Sequence, residues 1–310
     1  MSREPAPIVF FAFDRPDHTS RALDSLSANG LAERSPLIVH CDGPPPDATP
    51  ELQARIQATR DVVRRARRFA TRQIHESETN RGLMTSIEYG VREALTDYDR
   101  VIVIEDDLEF SPSFLEFMNA SLDRYAAAEP VMHISGYVFP VRATLPPTFF
   151  LKIMSSWGWA TWRRAFAHYD PDAGRLQEAI VGAGRAHEFN LEGQYNYMRQ
   201  LRANAEGRLR TWAVKWYASM FLLGGLSLFP HRSLVRNTGH DGSGRNSART
   251  SRFDPRGLAD RIEAANICLE ENRVARQAVG RLLGPTLYQR MTSACRRGLH
   301  RVAGRMKPRV

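Results

Sequence analysis

The sequence predicts an α/β protein in which helices flank both faces of a mostly parallel sheet. Short apolar runs alternate with longer segments whose apolar residues recur at helical spacing through residues 7–107. This alternation is typical of βα units. Polar or turn-forming residues directly follow the apolar runs at 7–13, 36–42 and 101–104. We therefore expect several strands to end at one polar edge.

The predicted elements rest on local composition. PIVFFAF (7–13) and PLIVHCD (36–42) are short and apolar, and the second is ended by the breaker cluster at 43–46. The segment 17–29 carries apolar residues at helical spacing and is closed by Gly30. The elements predicted in this half are, in chain order, a strand at 7–13, a helix at 17–29, a strand at 36–42, a helix at 51–66, a weaker strand at 68–77, a helical stripe formed by Met84, Ile87, Val91 and Leu95, and a strand at 101–104.

The later part of the chain has a different pattern. Residues 131–250 are rich in aromatic residues and glycine and mix short strands with loops. From about residue 255 the pattern turns helical and increasingly basic. We therefore expect one domain over residues 1–250 and a helical basic C-terminal extension over residues 251–310.

Bulk composition narrows the class of protein. The chain has 310 residues, 43% hydrophobic residues and a net charge of +9, which favours an anionic partner. Its three cysteines have no metal-like spacing and are odd in number, which argues against a disulfide framework. No apolar run approaches the roughly 20 residues of a membrane span. The expected location is cytoplasmic, with the basic C-terminus either a solvated tail or a peripheral contact to anionic lipid.

Polar residues cluster where the predicted strands end. In parallel sheets ligands bind beyond the carboxyl ends of the strands, so these residues are candidates for a binding site. Arginines among them could contact an anion. The candidates at these ends are Arg15, Asp42, Asn80, Arg81, Glu105, Asp106 and Asp107.

Three consecutive carboxylates follow the strand at 101–104. Glu105, Asp106 and Asp107 repel one another, and strand alternation would turn Glu105 and Asp107 to one side and Asp106 to the other. A divalent cation would relieve the repulsion, and Mg²⁺ or Mn²⁺ held by one or two carboxylates and substrate phosphates is typical. The alternative is a solvated acidic turn. Ser111-Pro112 then predicts the N-terminus of another helix.

The order of several motifs resembles a known family. FFAFDRP, IVHCDGP, NRGL, VIVIEDDLEFSPSFLEF, SGYV, SSWGWATWRRAF and SLFPHRSLVRNTGHDGSG occur in this order over residues 7–248. The sequence is similar to metal-dependent GT-A glycosyltransferases. It looks closest to the bacterial relatives of the Golgi N-acetylglucosaminyltransferase that starts N-glycan branching. The resemblance implies a Rossmann-like sheet and transfer of a sugar from a nucleotide diphosphate, with UDP as the expected nucleotide.

The resemblance also implies roles for individual residues. Asp107 would bind Mn²⁺ or Mg²⁺, Asp106 would approach the ribose, and Glu105 would approach a hydroxyl of the donor sugar. The remaining implied contacts are Arg15, Asp42 and Asn80 around base and ribose, Gly158 and Trp159 beside the donor sugar, and the loop 240–246 over the diphosphate.

The catalytic base is the weakest part of this expectation. An inverting transfer needs a carboxylate to deprotonate the acceptor hydroxyl. The relatives have an Asp in or beside a segment resembling TWAVKW (211–216), where this chain has no acid. Glu192 and Asp241 are the candidates for this role. The alternatives are an exposed acid at a helix start for Glu192 and an Asx turn for Asp241.

Two other functions remain open from sequence. A nucleotidyltransferase also uses acids and a metal on an α/β sheet, but FDRPDHTS after the first strand lacks the expected glycine-rich loop. The third hypothesis is an impaired transferase fold that binds a membrane surface or a polyanion. The expected partners of the leading hypothesis are a UDP-linked sugar donor and a glycan or lipid-linked acceptor, with no nucleic acid.

Overall fold

A computed structural model of the protein describes residues 4–242 and 250–284. It contains a mixed sheet of eight strands in the order β3-β2-β1-β4-β8-β6-β9-β7, and a two-stranded ribbon of β5 and β10. The strands are β1 Ile8–Ala12, β2 Leu37–Cys41, β3 Arg72–Glu76, β4 Arg100–Glu105, β5 Leu108–Phe110, β6 Val131–Ser135, β7 Thr148–Leu151, β8 Trp159–Trp162, β9 Leu226–Pro230 and β10 Val235–Asn237.

Ten α-helices accompany these strands in the described residues. They are α1 Pro16–Ser27, α2 Pro50–Arg65, α3 Leu83–Asp97, α4 Phe114–Arg124, α5 Arg163–Phe166, α6 Ala173–Gly182, α7 Ala186–Phe189, α8 Tyr197–Ala205, α9 Ala213–Leu222 and α10 Arg273–Leu283. Short 3₁₀ helices occur at Ala32–Arg34 and Gly239–Asp241. No helix in the described part of the chain is both long and apolar enough to cross a bilayer.

The α/β class with a mostly parallel sheet is confirmed. Strands β1 to β4 pair in parallel, as their βα connections predict. The sheet continues beyond them in a mixed arrangement because β8 runs antiparallel to both β4 and β6. Burial explains the apolar runs, since every residue of β1 and β2 is buried.

Three local predictions are wrong. A helix does follow Ser111-Pro112, but it begins at Phe114 and its N-cap residue is Ser113, whose amide donates to the Ser111 hydroxyl at 3.3 Å. Strand β4 ends at Glu105 and a turn follows, so strand alternation does not extend to Asp107. Residues 251–272 contain no helix, and α10 begins only at Arg273.

The chain after residue 250 packs on the rest of the protein. The Ala259 amide donates to the Ser233 carbonyl oxygen at 2.8 Å, and the Asn272 amide donates to the Phe150 carbonyl oxygen at 2.8 Å. Ala275 and Val279 of α10 belong to the hydrophobic core. The apolar face of α10 is therefore buried, while the basic residues beyond 284 lie outside the described residues.

Candidate active site

The ends of β1 and β4 bring Arg15 next to the acidic triplet. These strands are neighbours in the sheet, with Phe11 paired to Glu105. Arg15 lies just beyond β1, and its Nη1 donates to Asp107 Oδ2 at 3.1 Å. The Phe13 amide lies 3.3 Å from Asp106 Oδ2. The predicted gathering of these residues at one sheet edge is what parallel pairing produces.

The ribbon of β5 and β10 supplies the other side of Asp107. Leu108 pairs with Asn237, which places the residues after β10 beside the acidic turn. The Thr238 amide donates to the Asp107 carbonyl oxygen at 2.8 Å, and Asn237 Nδ2 lies 3.4 Å from Asp107 Oδ1. A β-carbon added to Gly239 would lie 2.2 Å from Asp107 Oδ2. Any larger residue at this position would force the Asp107 carboxylate to shift.

Sequence reasoning did not single out Asn237, Thr238 and Gly239. Asn237 is 130 residues from Asp107 along the chain, so no local pattern links this segment to it. The available signal was an Asn-Thr-Gly sequence at the end of the motif SLVRNTG. Such a sequence also marks an ordinary turn.

The electrostatics of the triplet reflect burial and mutual repulsion. Burial, followed by the charges of Asp107 and Asp106, raises the pKa of Glu105 to about 8. Burial and the charge of Asp107 raise the pKa of Asp106 to about 7. Burial lowers the pKa of Arg15, but Asp106 and Asp107 outweigh this effect, and its pKa is raised. The one arginine therefore does not offset the cost of three adjacent acids.

These residues fit a divalent cation in one particular way. Within residues 4–242 and 250–284, no group of three or more His, Cys, Asp or Glu side chains is arranged to hold a metal ion. The described residues therefore contain no site in which protein side chains alone would complete the coordination shell of a metal ion. The adjacent carboxylates of the triplet are nevertheless suitable for Mg²⁺ or Mn²⁺ shared with a phosphate-bearing ligand, because such a cation needs only one or two protein ligands.

Asp42 lies at the end of β2 and is held by the chain itself. Its Oδ1 accepts from the amides of Gly43 and Arg81 at 2.9 and 2.8 Å. Its Oδ2 accepts from the Gly82 amide at 2.9 Å and from Asn80 Nδ2 at 3.1 Å. The predicted contacts of Asp42 and Asn80 with a nucleotide remain predictions. The geometry shows that both residues fix the loop before α3.

Arg81 lies beside a separate cavity at the same edge. Its guanidinium lies 5.3 Å from the centre of the Tyr89 ring. A cavity of about 210 Å³ is lined by both residues together with His40, His75 and the end of β2. Arg81 is thus near the sheet edge, as predicted, and faces an open space that an anion could enter.

Gly158 and Trp159 lie at the start of β8, next to β4. Gly158 has a φ of +60°, and its carbonyl oxygen accepts from the Gly136 amide at 2.7 Å. The Trp159 side chain is fully buried and stacks on Trp212 with ring centres 4.9 Å apart. A ligand beside this segment would therefore meet Gly158 and main-chain atoms, because the Trp159 ring is part of the core.

The two base candidates occupy different surroundings. Asp241 Oδ2 lies 3.2 Å from His18 Nε2, and His18 also lies 3.4 Å from the Thr238 carbonyl oxygen. Glu192 instead forms an ion pair with Arg276 of α10 at 2.8 Å. Asp241 is therefore linked to the loop beside Asp107. Part of the glycine-rich loop predicted to cover the diphosphate, residues 243–246, lies outside the described residues.

The segment that lacks the expected acid contains a buried lysine. Lys215 of α9 is 4% exposed, and its Nζ lies 2.5 Å from Glu88 Oε1 of α3. Tyr169 also donates its hydroxyl to Glu88. The position near Trp212 thus holds a buried ion pair between two helices, a contact that stabilises packing only while both charges remain.

Comparisons with known proteins find distant similarities only. No protein-family model matches the sequence, and no curated protein matches it. Mouse xyloside xylosyltransferase 1, in its apo form, is 9% identical over 70% of this chain and 80% of its own, with a TM-score of 0.37. S. aureus TarS is 11% identical over 54% of this chain and 30% of its own, with a TM-score of 0.34.

A structure of GalNAc-T7 with UDP, GalNAc and Mn²⁺ is 9% identical over 74% of this chain and 43% of its own, with a TM-score of 0.43. The chain thus spans less than half the length of TarS and of GalNAc-T7. Similarities this distant do not assign it to a family.

Proposed function

We propose that this protein is a GT-A glycosyltransferase that transfers a sugar from a nucleotide diphosphate, with UDP as the expected nucleotide, to a glycan or lipid-linked acceptor. The observation that carries the proposal is the Asp107 carboxylate, which follows the carboxyl end of β4 and is enclosed by Arg15 and Gly239. A phosphate-bearing ligand with a divalent cation would balance the charge of the triplet.

Each residue has a part in this proposal. Asp107 would hold Mn²⁺ or Mg²⁺, which would supply positive charge to the departing diphosphate. Arg15 would contact a phosphate oxygen once its bond to Asp107 is shared. Asp106 and Glu105 would accept hydrogen bonds from ribose and donor-sugar hydroxyls. The excess positive charge of the chain suits an anionic donor.

Asp241 is our choice for the base of an inverting transfer. Its side chain is about half exposed, and His18 is positioned to orient it. The acceptor hydroxyl oxygen would attack the anomeric carbon while the carbon–oxygen bond to the diphosphate breaks. The proton would pass to the Asp241 carboxylate, and the electron pair would leave with the nucleoside diphosphate. Glu192 is less suited because Arg276 holds it elsewhere.

The test compares UDP binding with and without metal. Calorimetric titration with UDP is expected to show binding that strengthens at least about tenfold when Mn²⁺ replaces EDTA. Asp107→Asn should remove the metal dependence, whereas Asp260→Asn, a change at an exposed acid, should retain it. Equal affinity with and without Mn²⁺ in the unmodified protein would contradict the metal role of Asp107. Absence of any UDP binding would contradict the choice of nucleotide.

A donor panel then tests the reaction. UDP release from UDP-hexoses in Mn²⁺ should identify the sugar, and Asp241→Asn should lower turnover by about 10²-fold or more while UDP affinity stays constant. Glu192→Gln provides the matched control. If Glu192→Gln lowers turnover and Asp241→Asn does not, the base assignment is wrong.

A further inference from the structure

An aromatic pocket lies on the far side of the loop that contacts Asp107. It has a volume of about 200 Å³ and is bounded by α8, α9 and the segment before β8. Trp157 forms part of its wall, and the Trp157 ring lies 5.2 Å from the ring of His240. His240 directly follows Gly239, whose backbone touches Asp107. The pocket therefore lies next to the loop that contacts Asp107.

The walls combine aromatic rings with a few uncharged polar groups. None of the described residues that line the pocket is charged. Gln200 donates through Nε2 to the Tyr195 hydroxyl at 2.7 Å, which directs its amide group. The Tyr197 hydroxyl has no hydrogen-bond partner among residues 4–242 and 250–284. The aromatic residues of the wall are Tyr137, Phe139, Trp157, Tyr197, Tyr217 and Phe253.

The rings of the pocket are held in place by their own contacts. Tyr137 donates its hydroxyl to the Phe253 carbonyl oxygen at 2.8 Å, and its ring lies 4.4 Å from that of Trp157. Tyr217 donates its hydroxyl to the Phe189 carbonyl oxygen at 3.0 Å. These tyrosines present faces and edges while their hydroxyls are engaged. The polar side chains of the lining that these contacts leave available to a ligand are those of Tyr197, Gln200, Ser155 and Ser156.

We propose that this pocket binds one uncharged sugar ring of the acceptor. The inference rests on the proposed function and adds the part of the substrate that is recognised. A pyranose has an apolar C–H face that packs on aromatic rings, and hydroxyls that bond to groups such as Tyr197 and Gln200. An uncharged wall disfavours an anionic ligand, because no cation among the described lining residues would offset its desolvation.

The size of the pocket favours a ring over a lipid chain. Pockets for drug-sized ligands have volumes of about 300–1,000 Å³, and this one is smaller. Leu283 of α10 and Phe253 line it as well, so the chain after residue 250 contributes part of the enclosure. A long prenyl chain would need a longer groove than these residues enclose.

The test uses octyl β-D-glucopyranoside below its micellar concentration, and a panel of methyl pyranosides, in saturation-transfer NMR on the full chain. The expected result is saturation of ring protons for at least one probe. Ala213→Leu, which fills the pocket, should weaken that binding at least about tenfold. Ala179→Leu, the same change at an exposed position of α6, should leave it unaltered. Tyr197→Phe should weaken it while retaining the ring.

Three results would overturn the proposal. These are saturation confined to the octyl chain, equal ring binding in Ala213→Leu and the unmodified protein, or no binding of any probe. Titration of the same samples with UDP and Mn²⁺ separates this failure from that of the proposed function. If the sugar probes do not bind but UDP does, only the proposal for the pocket is contradicted. If UDP does not bind, the assignment of the donor is contradicted, independently of the result with the sugar probes.

Discussion

Strands β2 and β4 end at the same edge of the sheet, yet their carboxylates are treated in opposite ways. An ionised carboxylate has about four acceptor positions, and those of Asp42 accept from three backbone amides and one side-chain amide. Asp107 receives one arginine bond and a longer amide contact. Glu105 and Asp106 have raised pKa values.

This difference distinguishes an acid whose acceptor positions are filled by its own chain from the acid that we propose binds a ligand. The acceptor positions of Asp42 are occupied by donors of its own chain, so its main effect is to hold the loop before α3. The carboxylates after β4 still have free acceptor positions, and they repel one another. A bound cation or hydrogen-bond donor can relieve this repulsion. Location at the ligand edge of the sheet is thus not sufficient evidence of binding, and the count of donors already used is the sharper criterion.

The largest expected effect is on stability at β2. Asp42→Ala would leave three backbone amides and the Asn80 amide without their acceptor, and we expect the free energy of unfolding to fall by about 3 kcal/mol. Urea denaturation measures this change. Asp47→Ala, a nearby exposed position, should stay within about 0.5 kcal/mol. If Asp42→Ala lowers the free energy of unfolding only slightly, Asp42 is not the structural acid that distinguishes the end of β2 from the end of β4.

A second prediction concerns His40 of β2 and the pH dependence of the free energy of unfolding. Burial, followed by the charge of His75, lowers the pKa of His40 to about 4, below its ordinary value of 6.5. The unfolded chain binds more protons between these values, so this stability is present above pH 6.5 and is lost as the pH falls toward 4.

Between pH 7 and 5 we expect His40 to account for a loss of about 1–2 kcal/mol. His40→Phe, which can keep the ring stack with Phe11, should lose less over the same interval in urea denaturation. An equal loss in both proteins would show that His40 is not responsible.

At β4 the corresponding test displaces the carboxylate. A β-carbon on residue 239 would meet Asp107 Oδ2 and Arg15 Nη1, both at the ends of side chains that can move. Gly239→Ala should therefore weaken Mn²⁺-dependent UDP binding about tenfold, or ~1.4 kcal/mol. Gly30→Ala, where a β-carbon meets open space, is the matched control. If Gly239→Ala binds UDP with unchanged affinity in Mn²⁺, the contact between residue 239 and Asp107 does not contribute to ligand binding.

The smallest expected effect is that of Asp107→Asn on stability without ligand. Removing one charge relieves repulsion within the triplet but also removes the ion pair with Arg15. These terms oppose each other, so the free energy of unfolding should change by less than about 1 kcal/mol. A loss as large as that of Asp42→Ala, measured in the same urea series, would make Asp107 a structural acid too.

Sequence patterns predicted the N-terminal half of the fold, in which strands and helices alternate along the chain. Strands β1, β2 and β4 and helices α1 to α3 lie close to their predicted positions because period and breakers specify them locally. The antiparallel insertion of β8 beside β4 was not predictable, since pairing between distant segments leaves no local pattern. The segment 251–272 has no helix, and its Ala259 and Asn272 amides donate to backbone oxygens far away in the chain.

The candidate site divides along the same line. Strand ends placed Arg15, Asp42 and the triplet at one edge, and the structure brings Arg15 and the triplet together. Sequence alone could not show that Asp42 is saturated by its own loop, or that the Trp159 ring is buried. Both facts depend on which donors and rings surround the residue in the folded chain.

The ribbon of β5 and β10 has a consequence for the order in which the protein is made. Asp107 and Asn237 are 130 residues apart, so a ribosome delivers all of β1 to β4 long before the segment that encloses the carboxylate. Domains generally fold as units, so the site cannot be complete before the later segment has been made. A nascent chain would therefore carry three exposed, mutually repelling acids until residue 239 emerges, and the ability to bind a ligand would be among the last properties it acquires.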